Sequence, residues 1–307
     1  MSLAIDLCER GLVPDALARL GMRRLMARRL AAESGDRGEG EFERFRRQLA
    51  ALRESPVAIE TAKANEQHYE VPAAFFQRVL GPHLKYSCCW YGDGARTLGE
   101  AEEAMLRLTA ERAALADGQR ILELGCGWGS LTLWMAATYP ASRITAVSNS
   151  ASQRDFILAR ARERGLANVE VITADANVFT TAARFDRVVS VEMFEHMRNY
   201  EVLLGRIASW LKPGGKLFVH IFVHREVMYP FETEGEDNWM GRYFFTGGLM
   251  PAADTLLYFQ KDLRLEEQWR VNGRHYQQTS EHWLQNTDTH KAEILALFKA
   301  TYGPDQA

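Results

Sequence analysis

Hydrophobic residues recur along this chain with two different periods. Short apolar runs are typical of strands, whereas an apolar residue at every third or fourth position is typical of a helix. Between residues 98 and 223 the two patterns alternate, and one further pattern of each kind follows. The predicted strands are 120–124, 143–148, 168–173, 185–191, 216–223 and 263–271, and the predicted helices are 98–115, 129–138, 151–164, 199–211 and 290–300. Strands joined through helices predict an α/β fold with a parallel, doubly wound sheet and helices on both faces.

Two other parts of the chain depart from this alternation. Residues 1–60 predict a helical extension, which precedes a larger domain over residues 61–307. The helix between Ala16 and Leu30 carries leucines on one face and arginines on the other, which is compatible with an anionic membrane surface. We favour a solvated face on a helix that packs on the domain or on a second subunit, so a homodimer is one expectation. Over residues 225–262 the periodicity is lost among acidic and aromatic positions, which predicts a lid-like insertion.

Composition narrows the class of protein. The chain has 307 residues, of which 47% are hydrophobic and 25% charged, as in ordinary globular proteins. Its net charge of −3 gives no reason to expect a nucleic-acid partner. There is no signal-peptide pattern and no apolar run long enough to cross a bilayer, so we expect a cytoplasmic protein without stable membrane insertion. Four cysteines at irregular spacing predict neither a disulfide framework nor a zinc site.

The strongest local motif is Glu-Leu-Gly-Cys-Gly-Trp-Gly at residues 123–129. An apolar strand pattern runs into three alternating glycines, which permit positive φ and leave room for a ligand beside the backbone. Their spacing does not fit the dinucleotide fingerprint G-x-G-x-x-G, and the form E-x-G-x-G-x-G resembles that of class I S-adenosylmethionine methyltransferases. Glu123, Gly125 and Gly127 are therefore predicted cofactor-binding residues at the carboxyl end of the first strand.

Further cofactor-binding residues are expected at the next two strand ends. The second strand offers no acid to the ribose hydroxyls, but Asn149 and Gln153 can hydrogen-bond them. Asp175, after the third strand, is placed to accept from the adenine amino group, with a turn-capping aspartate as the alternative. Upstream, Tyr69 and the pair Tyr86–Ser87 lie in a segment that must pass over this pocket.

The fourth strand is followed by Glu192, Glu195 and His196. On an incipient helix these positions, i, i+3 and i+4, face one spot. The carboxyl end of this strand is also where a substrate meets a cofactor methyl group in such a sheet. Two carboxylates can bind a cationic amine, and an imidazole can remove the ammonium proton. We therefore predict these three residues as the catalytic set, with a solvated helix start as the alternative, and no metal, because supporting ligands are missing.

Several motifs together carry a more specific likeness. The segments Asn65–Pro72, Tyr86–Tyr91, Leu124–Ser130 and Met193–His196 resemble those of the cyclopropane-fatty-acid-synthase-like methyltransferases. The finer resemblance is to the coclaurine and pavine N-methyltransferase branch, and it rests on Glu192 with Glu195–Tyr200, Arg242–Gly248 with Met250–Pro251, Leu257–Gln260 and Asn272–Tyr276. The likeness covers the chain from about residue 60 onwards.

This resemblance implies a cofactor and a set of roles. It implies S-adenosylmethionine as methyl donor, S-adenosylhomocysteine as product, and a small amine as substrate, such as an aromatic alkylamine or a benzylisoquinoline-like compound. It implies amine binding and deprotonation by the catalytic set and cofactor contacts by Tyr86 and Ser87. The predicted substrate-binding residues are Tyr69, His220, His224, Phe245, Thr246 and Tyr276. For His224 a histidine satisfied inside the core is an equally weighted alternative. Family members continue for a few dozen residues beyond the position of Ala307, so we expect the sheet here to lack its last strand.

Two other functions stay open on the sequence. Cyclopropane synthases act on lipid alkenes with a bound bicarbonate as base. Their bicarbonate ligands resemble Cys88, Glu195, His220 and Tyr276 here. Against that function, Glu192 stands where the synthases usually have a small residue, and a buried extra carboxylate suits a cation better than an alkene. The third hypothesis is a protein that binds the cofactor without turnover, against which the intact catalytic set argues.

Overall fold

The computed structural model of the chain describes residues 3–34, 38–60, 71–92, 94–235 and 238–304. Its α-helices are, in chain order, α1 Leu3–Glu9, α2 Asp15–Ser34, α3 Glu39–Glu54, α4 Ala73–Val79, α5 Leu98–Arg112, α6 Ser130–Thr138, α7 Ala151–Glu163, α8 Tyr200–Trp210, α9 Trp239–Tyr243, α10 Gly273–Thr289 and α11 Lys291–Tyr302. Its strands are β1 Arg120–Leu124, β2 Arg143–Ser148, β3 Val169–Thr173, β4 Phe185–Val191, β5 Leu211–His220, β6 Tyr229–Pro230 and β7 Leu249–Met250. Short 3₁₀ helices cover Phe194–His196 and Thr255–Tyr258.

The chain divides into two compact units. The sheet unit comprises residues 65–194, 205–221 and 264–307, and the helical unit comprises residues 1–64, 195–204 and 222–263. Strands β1 to β5 belong to the first unit, and the antiparallel pair β6–β7 belongs to the second.

The sheet unit is built on a five-stranded sheet in the order β3-β2-β1-β4-β5. Every neighbouring pair is parallel, so the carboxyl ends of all five strands lie along one edge. Chain order runs outward from β1 in one direction and from β4 in the other. The boundary between β1 and β4 is therefore the switch point at which doubly wound sheets bind their ligands. The predicted α/β fold with a parallel, doubly wound sheet is confirmed.

The strands form because both faces of the sheet are covered. On one face Ile121, Ile144 and Val189 pack with Met135 of α6 and with further apolar residues of α5. Leu122, at the alternate position of β1, is also fully buried. Near-continuous apolar runs such as these are typical of parallel strands that helices cover on both sides.

Strand β5 is offset from its prediction. It runs from Leu211 to His220 instead of 216–223. Leu211 pairs with Phe185 and Lys216 pairs with Arg187, so the residues between them accommodate a register shift. The predicted helix before the strand is correspondingly shorter, because the chain joins the sheet as soon as α8 ends.

The prediction of a strand over residues 263–271 is wrong, because no strand is assigned to this segment. It packs on β5 through side chains instead: the rings of Trp269 and Phe218 lie 6.5 Å apart, and Lys216 pairs with Glu266. A strand needs a ladder of backbone hydrogen bonds to a neighbour. Within the part of the chain that the structure describes, the ladder ends at β5.

Helix α10 is an element that we did not predict from the sequence. Its inward positions are polar or aromatic. Thr279 is fully buried and its hydroxyl accepts from the backbone N–H of Cys89 at 3.1 Å, while the ring of His275 stacks on that of Trp90 at 4.2 Å. Hydrogen bonds and ring contacts replace aliphatic packing on the inner face of this helix, so the segment offers few of the aliphatic residues on which the other helices were predicted.

Side-chain bonds to backbone carbonyls join several segments of the helical unit. Asn199 Nδ2 donates to the carbonyl oxygens of Arg53 and Ser55 at 2.8 and 2.9 Å, which fixes the end of α3. Arg198 donates to the carbonyl oxygens of Gly247 and Gly248 at 3.1 and 3.2 Å. None of the described helices combines the length and the apolar character that crossing a bilayer requires.

The turn before α6 generates a stability prediction. Gly129 has φ of +80°, and a Cβ there would lie 2.6 Å from Ile157 Cγ1. Gly129→Ala should therefore lower the free energy of unfolding by about 2–4 kcal/mol, from left-handed strain and crowding together. Gly165 is the matched control, because it has φ of +67° and an added Cβ would meet no atom within 4 Å.

Urea denaturation of both variants and of the unmodified chain measures the difference. We expect Gly165→Ala to lose only the strain component, about 1–2 kcal/mol. Equal losses in the two variants would mean that Ile157 yields without cost.

Candidate active site

The turn after β1 has the backbone that the glycine motif predicts. Gly125 and Gly127 have φ of +80° and +51°. A Cβ on Gly125 would lie 2.9 Å from Met193 Cβ, so only glycine permits the close approach of the chain that follows β4. A Cβ on Gly127 would meet no atom within 4 Å. The backbone at Gly127 therefore borders open space at the carboxyl edge of the sheet, which fits a ligand lying against the turn.

Glu123 lies buried near the carboxyl end of β1. Only 3% of the residue is exposed, and Oε2 accepts from Thr132 Oγ1 at 2.5 Å. Burial raises the pKa of this carboxyl to about 8, although the Thr132 bond lowers it in part. A nearby cation favours the charged form of such a carboxyl, so Glu123 can respond to a cationic ligand. Thr132 is a partner that the sequence analysis missed; it lies one turn beyond the glycine motif.

The end of β2 offers hydrogen-bonding groups without an acid. Gln153 is 1% exposed, and its Oε1 accepts from Ser148 Oγ at 2.7 Å. Its Nε2 atom is buried and has no partner among the residues that the structure describes. A buried donor without a partner is costly unless a ligand or water satisfies it. Gln153 Nε2 therefore fits the predicted cofactor contact, and Asn149 lies half-buried directly after β2.

Asp175 follows β3 and stabilises its own turn. Its Oδ1 accepts from the N–H of Asn177 at 2.7 Å, and its carbonyl oxygen accepts from the N–H groups of Val178 and Phe179. The turn-capping alternative thus accounts for one carboxylate oxygen. Contact with an adenine amino group stays a prediction.

The segment around Tyr86 lies against the glycine turn. The ring of Tyr86 is 5.1 Å from that of Phe76, which in turn lies 5.0 Å from the ring of Trp128. Burial raises the pKa of Tyr86 to about 12, so its hydroxyl keeps its proton. Ser87 is buried next in the chain, and its hydroxyl accepts from the Nζ of Lys85, a residue that the sequence analysis did not single out.

Glu192 comes directly after β4 in a strained backbone conformation. Its φ is +51°, and its N–H donates to the carbonyl oxygen of His220 at 2.8 Å. The expected helix over residues 192–196 is wrong, because a single 3₁₀ turn begins only at Phe194. The spacing i, i+3, i+4 therefore does not describe this geometry. A non-glycine residue in the left-handed region costs about 1–2 kcal/mol, and such strain clusters at functional sites.

Two other groups of the sheet unit lie close to these strand ends and are neutral. Burial raises the pKa of the Cys88 thiol to about 12; Lys85 lowers it and Glu192 raises it. Burial lowers the pKa of His220 to about 3, helped by the charges of Lys85 and Arg112. The charge of Lys85 thus acts on both Cys88 and His220, and the charge of Glu192 acts on Cys88.

Tyr276 lies on α10 in the same unit. It is half-buried, and its ring stands edge-on to that of Trp283 at 6.3 Å. A role in substrate binding stays a prediction for this residue.

In the helical unit, His196 belongs to an aromatic cluster. Glu195 is 1% exposed, whereas His196 is half-buried. The ring of His196 lies 5.4 Å from that of Phe245. Phe245 stacks on Phe231 at 4.9 Å and meets Phe222 edge-on at 5.3 Å. We call His196, Phe222, Phe231 and Phe245 the aromatic cluster. Phe222 and Phe231 were not predicted as site residues, although the aromatic content of the segment was a signal.

The remaining predicted residues have local structural partners or lie elsewhere. His224 Nδ1 accepts from the N–H groups of Glu226 and Val227 at 3.1 and 2.9 Å, which supports its structural alternative. Thr246 Oγ1 donates to the carbonyl oxygen of Gly241 at 2.8 Å. Tyr69 lies outside the described residues.

Comparison with known proteins extends this geometry. The family model described as mycolic acid cyclopropane synthetase matches residues 58–302. The chain is 40% identical over 297 residues to (S)-coclaurine N-methyltransferase of Thalictrum flavum subsp. glaucum, covering 96% of this chain and 82% of that protein. It is 31% identical over 222 residues to the cyclopropane-fatty-acyl-phospholipid synthase of Escherichia coli strain K12, covering 72% and 55%. The crystal structure of coclaurine N-methyltransferase bound to N-methylheliamine and S-adenosylhomocysteine matches with a TM-score of 0.93 and 38% identity, over 98% of this chain and 87% of that one.

The parallel sheet, the glycine turn and these matches define a class I methyltransferase that uses S-adenosylmethionine. The chain belongs to the mycolic acid cyclopropane synthetase family and is an N-methyltransferase within it. The resemblance seen in the sequence motifs, the enzyme class and the cofactor are thereby confirmed.

Burial of Glu123 generates a prediction about pH. In the absence of cofactor the folded carboxyl keeps its proton up to about pH 8, whereas the unfolded chain loses it above its ordinary value of 4.5. The unfolded state therefore binds fewer protons between these values, and stability falls as pH rises through that window. Glu123→Gln removes this contribution, so its stability relative to the unmodified chain should rise by about 2–4 kcal/mol from pH 5 to pH 8.

Urea unfolding at pH 5, 6.5 and 8 measures this difference, with the exposed Glu163→Gln as the control variant. If the free energy of unfolding changes with pH in the same way for the unmodified chain and for Glu123→Gln, the carboxyl group of Glu123 is ionised in the folded protein.

Proposed function

We propose that this chain transfers the methyl group of S-adenosylmethionine to the nitrogen of a small aromatic amine, such as an aromatic alkylamine or a benzylisoquinoline-like compound. The observation that carries the proposal is the half-buried aromatic cluster around His196. Ring faces and edges attract aromatic rings and bind cations, and a protonated aromatic amine offers both. An unsaturated acyl chain offers neither. The coclaurine and pavine N-methyltransferases among the relatives support the same substrate class.

Glu192 and Glu195 are proposed to bind the ammonium form of the substrate, and His196 to remove its proton. Deprotonation exposes the nitrogen lone pair, which an ammonium ion lacks. The backbone strain at Glu192 supports a functional role for this residue, because its N–H bond to His220 holds the conformation at a cost. Glu195 is buried next to His196 in the chain, so its charge is weakly screened there.

The cofactor is proposed to lie along the carboxyl edge of the sheet. The backbone at Gly127 borders open space, and Gln153 Nε2 is a donor without a partner among the described residues. Glu123 has a carboxyl group that loses its proton more readily when a cation is near. Bound S-adenosylmethionine supplies a methyl group on a sulfonium, which is already reactive. The protein's own share of the rate is then alignment of the nitrogen and exclusion of water.

The neutral groups near the strand ends favour an amine. With its pKa lowered to about 3, His220 carries no positive charge at neutral pH and does not repel a cationic substrate. Cys88 likewise keeps its proton. The lipid alternative would instead use Cys88, His220 and Tyr276 around a bicarbonate ion.

Two finer parts of the proposal concern location and assembly. A cytoplasmic location is supported by free thiols at Cys8, Cys88, Cys89 and Cys126. A homodimer is supported by α2, which exposes Leu17, Met22 and Met26 along its length. The molar mass in solution, measured by light scattering, tests the second part.

The substrate class is tested by methyl transfer from radiolabelled S-adenosylmethionine. The protein is offered a panel of phenethylamines and tetrahydroisoquinolines beside vesicles of unsaturated phospholipid. We expect label in the amines and none above background in lipid. Label in lipid alone would replace the proposal by cyclopropane-synthase chemistry, and retention of cofactor without transfer to either would indicate a binding protein without turnover.

The role of His196 is tested by its pH dependence. His196→Ala should lower the rate of methyl transfer about 10²- to 10⁴-fold at pH 7, because the amine is mostly protonated there. At a pH above the amine's own pKa the loss should shrink, since free amine is abundant. His290→Ala, at the start of α11, serves as the control and should leave the profile unchanged. An equal loss across the pH range would reject the role as base.

A further inference from the structure

A buried carboxylate organises the loop that leads to Ser87. Glu102 on α5 is fully buried and accepts three backbone N–H bonds, from Gly81 at 3.0 Å, His83 at 2.8 Å and Lys85 at 3.2 Å. A Cβ on Gly81 would lie 2.6 Å from this carboxylate, so the loop wraps closely around it. Three bonds to one side chain hold the backbone of residues 81–85 in a single conformation.

Lys85, at the end of this loop, points its ammonium group into the protein. Lys85 is 3% exposed, and its Nζ donates to the hydroxyl of Ser87 and, at 2.8 Å, to the carbonyl oxygen of Cys88. No carboxylate of the described residues lies within the 4.0 Å of Nζ that an ion pair requires. A buried charge is costly unless an opposite charge pairs with it. Glu102 is near enough for Lys85 to lower the pKa of its carboxyl, but the two side chains form no ion pair. A buried ammonium group without an ion pair favours a further anion.

The hydrogen bond from Lys85 also determines whether the hydroxyl group of Ser87 accepts or donates. An ammonium group can only donate, so the oxygen of Ser87 is the acceptor in this bond. Its own O–H must then point elsewhere, and it has no second partner among the described residues. Ser87 is thereby held as a donor, beside a positive charge, in a segment that packs through Tyr86 and Phe76 on the glycine turn.

We propose that Lys85 is a positioning residue for the cofactor. It holds Ser87 as a hydrogen-bond donor and supplies a positive charge, and the donor and the charge together recognise the carboxylate of the methionine moiety. S-adenosylmethionine and S-adenosylhomocysteine both carry this carboxylate. The influence of Lys85 on the pKa values of Cys88 and His220 agrees with a position of the ammonium group near the ends of β4 and β5.

The test compares two ligands that differ only in the carboxylate. Calorimetric titration with S-adenosylhomocysteine and with its decarboxylated analogue is carried out on the unmodified chain, Lys85→Gln and Ser87→Ala. We expect Lys85→Gln to weaken S-adenosylhomocysteine about 10- to 100-fold, as for loss of a charged hydrogen bond, and to change the analogue less than twofold. Ser87→Ala should show the same selective loss, and the double variant should lose little more than either single one.

The exposed Lys299→Gln, on α11, is the matched control and should bind both ligands as the unmodified chain does. Equal weakening of both ligands by Lys85→Gln and Ser87→Ala would overturn the proposal in favour of general support of the pocket, and so would unchanged affinity. If Lys85→Gln fails to fold, the uncharged Lys85→Met is titrated in its place with the same two outcomes, because Ser87→Ala by itself reports only on the hydroxyl. No amine substrate is present in these titrations, so their outcome does not depend on the proposed substrate class.

Discussion

The close approach of two backbone segments at the switch point of the sheet is the constraint on which the rest of this structure depends. Because Gly125 has no Cβ, Met193 can lie against the turn that follows β1. The chain leaving β4 passes close to that turn, and Glu192, directly before Met193, has a left-handed conformation. The glycine turn and the segment that begins at Glu192 therefore meet in one contact. A side chain at position 125 would push them apart, whatever the chemistry of the neighbouring residues.

Burial then sets the charges along the carboxyl edge of the sheet. Desolvation raises the pKa of Glu123 and Cys88 and lowers that of His220, so Glu123 keeps its proton near pH 7 and the other two stay far from their charged forms. Lys85 differs, because donors and acceptors of the loop around Glu102 hold its ammonium group inside the protein. An edge that is largely neutral before ligands arrive is suited to a cofactor and a substrate that bring their own charges. Interactions in such an enclosed place are stronger than in water.

The family of this chain includes cyclopropane synthases, so the fold does not determine the molecule that accepts the methyl group. The residues of the site determine it. Solved cyclopropane synthases share the fold at 21% identity, as the one from Mycobacterium tuberculosis with a TM-score of 0.68 illustrates. The proposed substrate class rests on Glu192, directly after β4, and on the phenylalanine rings around His196. Each feature suits a cationic aromatic molecule better than an acyl chain. The N-methyltransferases among the relatives agree with that proposal.

The sequence by itself determined the elements whose signal is local. Apolar runs between helical patterns were enough for the sheet, and the glycine spacing was enough for the turn, because strand burial and positive φ leave their mark on neighbouring positions. Contacts between distant segments left no such mark. Helix α10 packs through Thr279 and His275, and no strand is assigned to residues 263–271. Glu192 has a left-handed conformation instead of the expected helix, and the buried surroundings of Lys85 form only where the chain folds back on Ser87 and Glu102. Tertiary structure decided these features, since backbone strain and the solvation of a charge depend on neighbours that are far away in the sequence.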